Sequence, residues 1–275
     1  MMKKAENSIF YLVTAAFLVI ILFPFFWILI TSFKPSSEIF GAGAFRVFSD
    51  HSTLRNYGAV LTGKNILSSI KNSLVVSATT TLYVIVVATM AAYAISRFHF
   101  RFKNILLGLI LVISMFPQMI IVGPVFNLFT SLHWTNSYFI VLPYSTITIP
   151  MAVWIMVAHF GKIPLSIEES ARIDGASAFR TLWSVVFPLA APGVFTTAII
   201  TFIAAWNEYL LTATLNTEIS MQTVPVAISF LRTQFQILWG EVAAATVIVT
   251  IPTMIIVLIF QKRIVSGLVS GAVKE

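Results

Sequence analysis

The sequence predicts an all-α, polytopic membrane protein with six transmembrane helices and one charged loop set among them. Three observations carry this. Of 275 residues, 58% are hydrophobic and only 10% charged, against about 25% charged in a soluble domain. The charges fall in short clusters that leave uncharged runs of spanning length, about 20 residues each. One amphipathic island, residues 164–192, holds Glu168, Glu169, Arg172, Asp174 and Arg180 between apolar runs. A charge at the bilayer centre costs about 2.5–3.5 kcal/mol, so this island belongs in water or against another protein.

Taken in order, Lys3 and Lys4 precede an uncharged run over 8–33, too long for the apolar core of a signal peptide, with Phe25, Phe26 and Trp27 where a cleavage site wants small residues. It reads as a first span, about 9–32, kinked at Pro24. Residues 34–71 form the longest polar segment, with Glu38, Arg46, Asp50, Arg55 and Lys64 and a flexible point at Gly41-Ala42-Gly43. The second span, about 72–96, is rich in Val, Ala and Thr, which allow close packing in lipid. Arg97, Arg101 and Lys103 follow within seven residues. No Asp, Glu, Lys or Arg occurs over 104–161, so that run folds back at His133–Ser137 into spans of about 105–131 and 138–159. Pro117, Pro124, Pro143 and Pro150 predict bends there, whose freed backbone groups need neighbours or a watered cavity. A fifth span, about 183–211, begins in the uncharged run after Arg180, within the island, and a sixth, about 242–261, contains Pro252.

Charge sets the orientation. Eleven of the seventeen Lys and Arg fall on the side of both termini: Lys3, Lys4, Arg97, Arg101, Lys103, Lys162, Arg172, Arg180, Lys262, Arg263 and Lys274. Six fall on the other, in longer segments: Lys34, Arg46, Arg55, Lys64, Lys71 and Arg232. The positive-inside rule then places both termini in the cytoplasm.

The island has a local grammar. Pro164 ends the preceding element, Ser166 and Glu169 have capping-box spacing, and Gly175 is placed to close a helix in the left-handed region. A helix is predicted over about 167–174 and a second from Ser177 into the membrane, with Pro188 and Pro192 bending its entry. The pattern suits a docking surface or an amphipathic helix on the lipid interface.

Glu169-Ser170-Ala171-x-x-Asp174-Gly175-Ala176, followed by Phe187-Pro188-Leu189 and Pro192, resembles the "EAA" cytoplasmic loop of the membrane subunits of binding-protein-dependent ABC importers. Ser170 stands where the family has its first alanine. The resemblance implies that the loop, about 162–180, is a cytoplasmic coupling helix seated in a cleft of a separate ATP-hydrolysing subunit. Glu168, Glu169, Ser170, Ala171, Asp174, Gly175 and Ala176 would form that coupling surface. Thr31-Ser32-Phe33-Lys34-Pro35, Asn56-Tyr57, Trp206-Asn207-Glu208-Tyr209-Leu210, Phe260-Gln261-Lys262-Arg263 and Gly271-Ala272-Val273-Lys274 resemble segments of the carbohydrate-uptake, maltose-like branch. The whole chain, 1–275, is thus expected to be one importer membrane domain in a bacterial-type inner membrane. Its expected partners are a homologous second permease subunit, two ATPase subunits, an extracytoplasmic solute-binding protein, a carbohydrate substrate and membrane lipid, with no nucleic acid. Trp206, Asn207, Glu208 and Tyr209 are candidate pathway residues. Glu208 is equally readable as a carboxylate reaching water by snorkelling.

No enzyme chemistry is legible. There is no Gly-Lys-Ser/Thr phosphate loop, so no cofactor is expected in this chain, and ATP and Mg would sit on the partner ATPases. Cys is absent, and His51, His99, His133 and His159 lie apart, so neither catalytic nor metal residues are assigned. The alternative function is an ion-gradient-driven secondary transporter or channel, with a membrane-embedded enzyme more distant.

Overall fold

The structure is a computed structural model that describes residues 2–40, 44–47, 49, 51–63, 65–231 and 237–272. The expected flexible point Gly41-Ala42-Gly43, the charges Asp50, Lys64, Arg232 and Lys274, and Val273 of the last motif lie outside the described residues.

The described residues form helices in the order α1 (Met2–Ser32), α2 (Ser36–Ile39), α3 (Arg55–Gly63), α4 (Ile66–Arg97), α5 (Lys103–Ser114), α6 (Gln118–Ser131), α7 (Val141–Phe160), α8 (Leu165–Ile173) and α9 (Ala178–Thr181). A π-helical turn, Leu182–Val186, leads into α10 (Phe187–Leu189), α11 (Ala191–Trp206), α12 (Leu210–Leu215), α13 (Val224–Ser229) and α14 (Trp239–Ala272). Four of these are long and apolar enough to cross a membrane, and six spans result if each of two bent pairs counts as one.

The bent pairs differ from simple spans. Helices α5 and α6 meet at 87°, where Pro117 lacks an amide and disfavours helical backbone at Phe116. The stretch Ala178–Leu189 meets Ala191–Trp206 at 82°, where the ring of Pro192 opposes the carbonyl of Pro188. By contrast α1 runs unbroken through Pro24 and α14 through Pro252. Helix α4 begins at Ile66, ahead of the expected 72, because Lys71 is exposed on it and needs no break. The fifth span stops at Trp206, short of the expected 211.

The chain divides into two compact units. The first comprises Met1–Leu67 and Ala227–Ile251. Within it the two sequence motifs near its start come together. Asn56 Nδ2 donates to Ser32 O and Lys34 O, each at 2.9 Å, and so satisfies carbonyls at the end of α1. The Tyr57 hydroxyl meets Ser32 Oγ at 2.7 Å, and its ring packs on Phe33. Gly240 of α14 lies so close that an added Cβ would sit 2.6 Å from Asn56 Nδ2. These two motifs therefore have a packing role within this unit.

The second unit comprises Ser68–Val226 and Pro252–Glu275. One apolar cluster joins Val84, Ala88 and Ala92 of α4, Met156 and Phe160 of α7, and Leu182 and Val186 of the π turn. Another joins Val76 near the start of α4 to Phe129, Tyr144, Ala205 and Leu211. Helices α7 and α11 touch where Gly193 faces His159, with room for no side chain: a Cβ would lie 2.4 Å from the imidazole.

Candidate functional site

The loop between α7 and the π turn is built from its prolines and its glycine. Pro164 precedes α8 in extended conformation (φ −58°, ψ 137°). Its fixed φ starts the helix at Leu165, two residues earlier than the capping box requires. Ser166 is then already helical, so the expected Ser166–Glu169 box does not form; the carbonyl of Ser166 instead accepts from Ser170 Oγ at 2.9 Å. The far end is closed tightly. Gly175 has φ +81°, Ala176 N donates to Ala171 O, and Gly175 N donates to Arg172 O, each at 3.0 Å. These paired bonds are the Schellman closure that the left-handed residue permits. Ser177 then caps α9, its Oγ accepting from Arg180 N at 3.3 Å.

Burial in α8 is the reverse of a core helix. Its one buried side chain is a carboxylate, Glu168, 1% exposed. Arg97 Nε donates to Glu168 Oε1 at 2.5 Å, the Tyr93 hydroxyl to Oε2 at 3.1 Å, and Arg97 Nη2 to Ile163 O at 3.1 Å. The apolar side chains face out: Ile173 is 86% exposed, and Leu165, Ile167 and, on α9, Phe179 are exposed too. Glu169, Ser170, Arg172, Asp174, Gly175 and Arg180 are exposed beside them, with Ala171 and Ala176 half-buried. Four of the seven coupling candidates, Glu169, Ser170, Asp174 and Gly175, are therefore exposed on the loop, Ala171 and Ala176 are half-buried, and Glu168 serves its inner side. Its partner Arg97 was readable only as a loop cation, because the pair is 71 residues apart in sequence.

The second candidate set follows α11. Trp206 is buried and stacked on Phe202 at 5.8 Å between ring centroids. Asn207 is exposed, its Nδ2 donating to Ile203 O at 2.8 Å. Glu208 is half-buried. Its Oε1 accepts from Leu211 N at 2.8 Å and its Oε2 from Thr212 N at 3.3 Å, so it caps α12. A cavity of about 340 Å³ has a mostly apolar wall that includes Ile147, Ala204, Ala205 and Leu210, into which Gln118, Tyr144, Thr148, Asn207, Glu208 and Tyr209 bring polar groups. The Tyr144 hydroxyl bonds Thr212 Oγ1. Gln118, Tyr144 and Thr148 escaped the sequence reading, because uncharged polar residues inside spans are common and carry no spacing signal. The cavity offers hydrogen-bonding groups beside an aromatic ring. Among the described residues no cluster of His, Cys, Asp and Glu could hold a metal ion.

Residues 84–269 match the family of binding-protein-dependent transport system inner membrane components. The chain is 39% identical to the trehalose/maltose transport system permease protein of Thermococcus litoralis, over 93% of this chain and 92% of that one. It is 38% identical to the trehalose transport system permease protein of Mycobacterium tuberculosis, over 92% of each. In fold it resembles a chain of a bacterial ABC transporter involved in the import of the acidic polysaccharide alginate, with a TM-score of 0.77 at 22% identity, covering 95% of this chain and 97% of that one.

Proposed function

The chain belongs to the binding-protein-dependent transport system inner membrane components, and from that premise we propose that its loop 162–180 is the coupling helix gripped by a separate ATPase subunit. The protein is a permease subunit of an ABC importer. It forms half of a pathway completed by a homologous subunit, with two ATPase subunits, holding ATP and Mg, on the cytoplasmic face that carries the loop and both termini. An extracytoplasmic binding protein delivers the solute. The solute is a sugar or oligosaccharide, a reading supported by the trehalose and maltose permeases the chain is similar to and by the hydrogen-bonding groups that Tyr144 and Asn207 bring to the cavity wall. The whole chain works as one membrane domain.

The observation that carries the coupling reading is the inverted burial of α8. A helix that buries Glu168 and exposes Ile173, Leu165 and, beyond its end, Phe179 presents apolar side chains for a partner to cover. The closure at Gly175 keeps that surface rigid. Any residue with a Cβ is strained at φ +81°, least so asparagine. Gly175→Leu is therefore expected to reduce both sugar uptake and co-purification of the ATPase subunits, with Gly175→Asn intermediate. Normal values of both in Gly175→Leu would refute the coupling role.

A further inference from the structure

Helix α4 is held by polar contacts at both ends. At one end Arg97 and Tyr93 bind Glu168, and Arg97 also binds Ile163 O, so both anchors belong to the coupling loop. The Arg97 and Glu168 side chains are 6% and 2% exposed. At the other end Asn72 Nδ2 donates to Ser220 O at 2.8 Å and Gln222 O at 3.0 Å, while its Oδ1 accepts from the Tyr138 hydroxyl at 2.8 Å. Beside it Ser73 Oγ accepts from Val224 N at 2.8 Å. Both residues are buried. These partners belong to the segment after α12 and to the turn before α7.

Between the two anchors α4 contains neither proline nor glycine. The neighbouring routes along this unit are broken, at 87° between α5 and α6 and at 82° before α11, and α7 carries Pro143 and Pro150. From Asn72 to Arg97 an unbroken helix spans about 38 Å at 1.5 Å per residue. A continuous ladder of backbone hydrogen bonds resists stretching, whereas a broken helix absorbs displacement at its break.

We propose that Arg97 and Asn72 are positioning residues of the transport cycle: through them α4 passes movement of the coupling loop to the segment 216–224 at its opposite end. This rests on the reading that an ATPase subunit grips the loop. A buried ion pair suits the task better than an apolar contact. Apolar surfaces slide at little cost, but separating Arg97 from Glu168 leaves a charge buried without its partner. The loop and the end of α4 must therefore move together. The two-point bond from Arg97 to Glu168 and Ile163 O also fixes the angle between them.

The chain has no cysteine, so a single thiol reports on one place. Ile219→Cys puts it on the exposed segment. The complete importer carrying it is placed in nanodiscs and labelled with an aqueous maleimide, with and without a non-hydrolysable ATP analogue. Nucleotide is expected to change the labelling rate by at least about fivefold, the lower range of allosteric couplings. Arg97→Gln and Asn72→Ala are each expected to bring the two rates together while the ATPase subunits still co-purify. The exchange Arg97→Glu with Glu168→Arg is expected to restore part of the response, which a general loss of packing would not allow. A nucleotide response that persists in Arg97→Gln with the ATPase bound, or one absent from the Ile219→Cys protein itself, overturns transmission through α4 and leaves the docking reading standing. So does an exchange that restores nothing, or loss of the ATPase from Arg97→Gln, which would make Arg97 part of the docking surface. Failure of the ATPase to co-purify with the unsubstituted chain overturns the docking reading itself.

Discussion

Glu208 and Glu168 are two carboxylates next to membrane spans, and each has structural work that its sequence position does not announce. Glu208 accepts two amides at the start of α12. Glu208→Ala removes both acceptors and is expected to cost about 1 kcal/mol, the usual value of a lost cap. Glu208→Gln keeps one acceptor oxygen. Uptake and thermal unfolding measured on both variants separate the roles: the cap predicts that Gln retains more of each than Ala, whereas a required negative charge predicts equal losses of uptake. Gly240 gives a second test at this scale. A Cβ there meets Asn56 Nδ2 at 2.6 Å, so Gly240→Ala is expected to destabilise the protein by about 1–3 kcal/mol through overpacking. Gly58→Ala, with open space around its Cβ, is the control; equal melting temperatures for the two variants would refute the close approach.

Among the elements, the pair α8–α9 shows what local sequence can and cannot specify. Its existence, its Gly175 closure and its restart at Ser177 follow from residue types at fixed offsets, because caps and turns are settled within a few residues. Its start did not follow. Ser166 and Glu169 have capping spacing, but Pro164 fixes the helix entry first and overrides the side-chain bonds. The bends also escaped a reading by span length, since proline breaks some helices and is tolerated in others: Pro117 marks an 87° bend, while α1 passes Pro24 unbroken. The outward apolar side chains of this pair lead to a direct expectation. Ile173→Asp with Phe179→Asp replaces two exposed side chains and loses the Phe179 contact with the half-buried Trp183 ring, so it is expected to cost no more than about 1.5 kcal/mol of chain stability. It is expected to weaken ATPase binding by tenfold or more, the equivalent of about 1.4 kcal/mol. Unchanged binding in a titration of the purified components would show that this face is not the docked one.

At the scale of the whole molecule, the sequence carried the spans, their charge bias and the loop, because hydrophobic length and charge are local sums. It did not carry the contacts that join distant segments. Arg97 and Glu168 are 71 positions apart, and Asn72 and Gln222 are 150 apart. Each of these residues looks ordinary in its own neighbourhood: a cation after a span, an acid in a helix, an amide at a helix start. Only the fold shows that they are buried against one another, and that α4 joins the two groups. The two compact units also divide the labour. In the first, Asn56 and Tyr57 tie down the end of α1. The second holds the loop, α4 and the cavity at Tyr144.

All of this depends on a separate ATPase seating itself on α8 and α9. Because the chain lacks cysteine, a single photoactivatable crosslinker can be attached at Ile173→Cys in the intact importer, with Ile219→Cys as its counterpart. The account predicts a crosslink from position 173 to an ATPase subunit and none from position 219. A crosslink from 219 to the ATPase, or a position 173 that reaches no ATPase subunit in an importer that hydrolyses ATP, would contradict it.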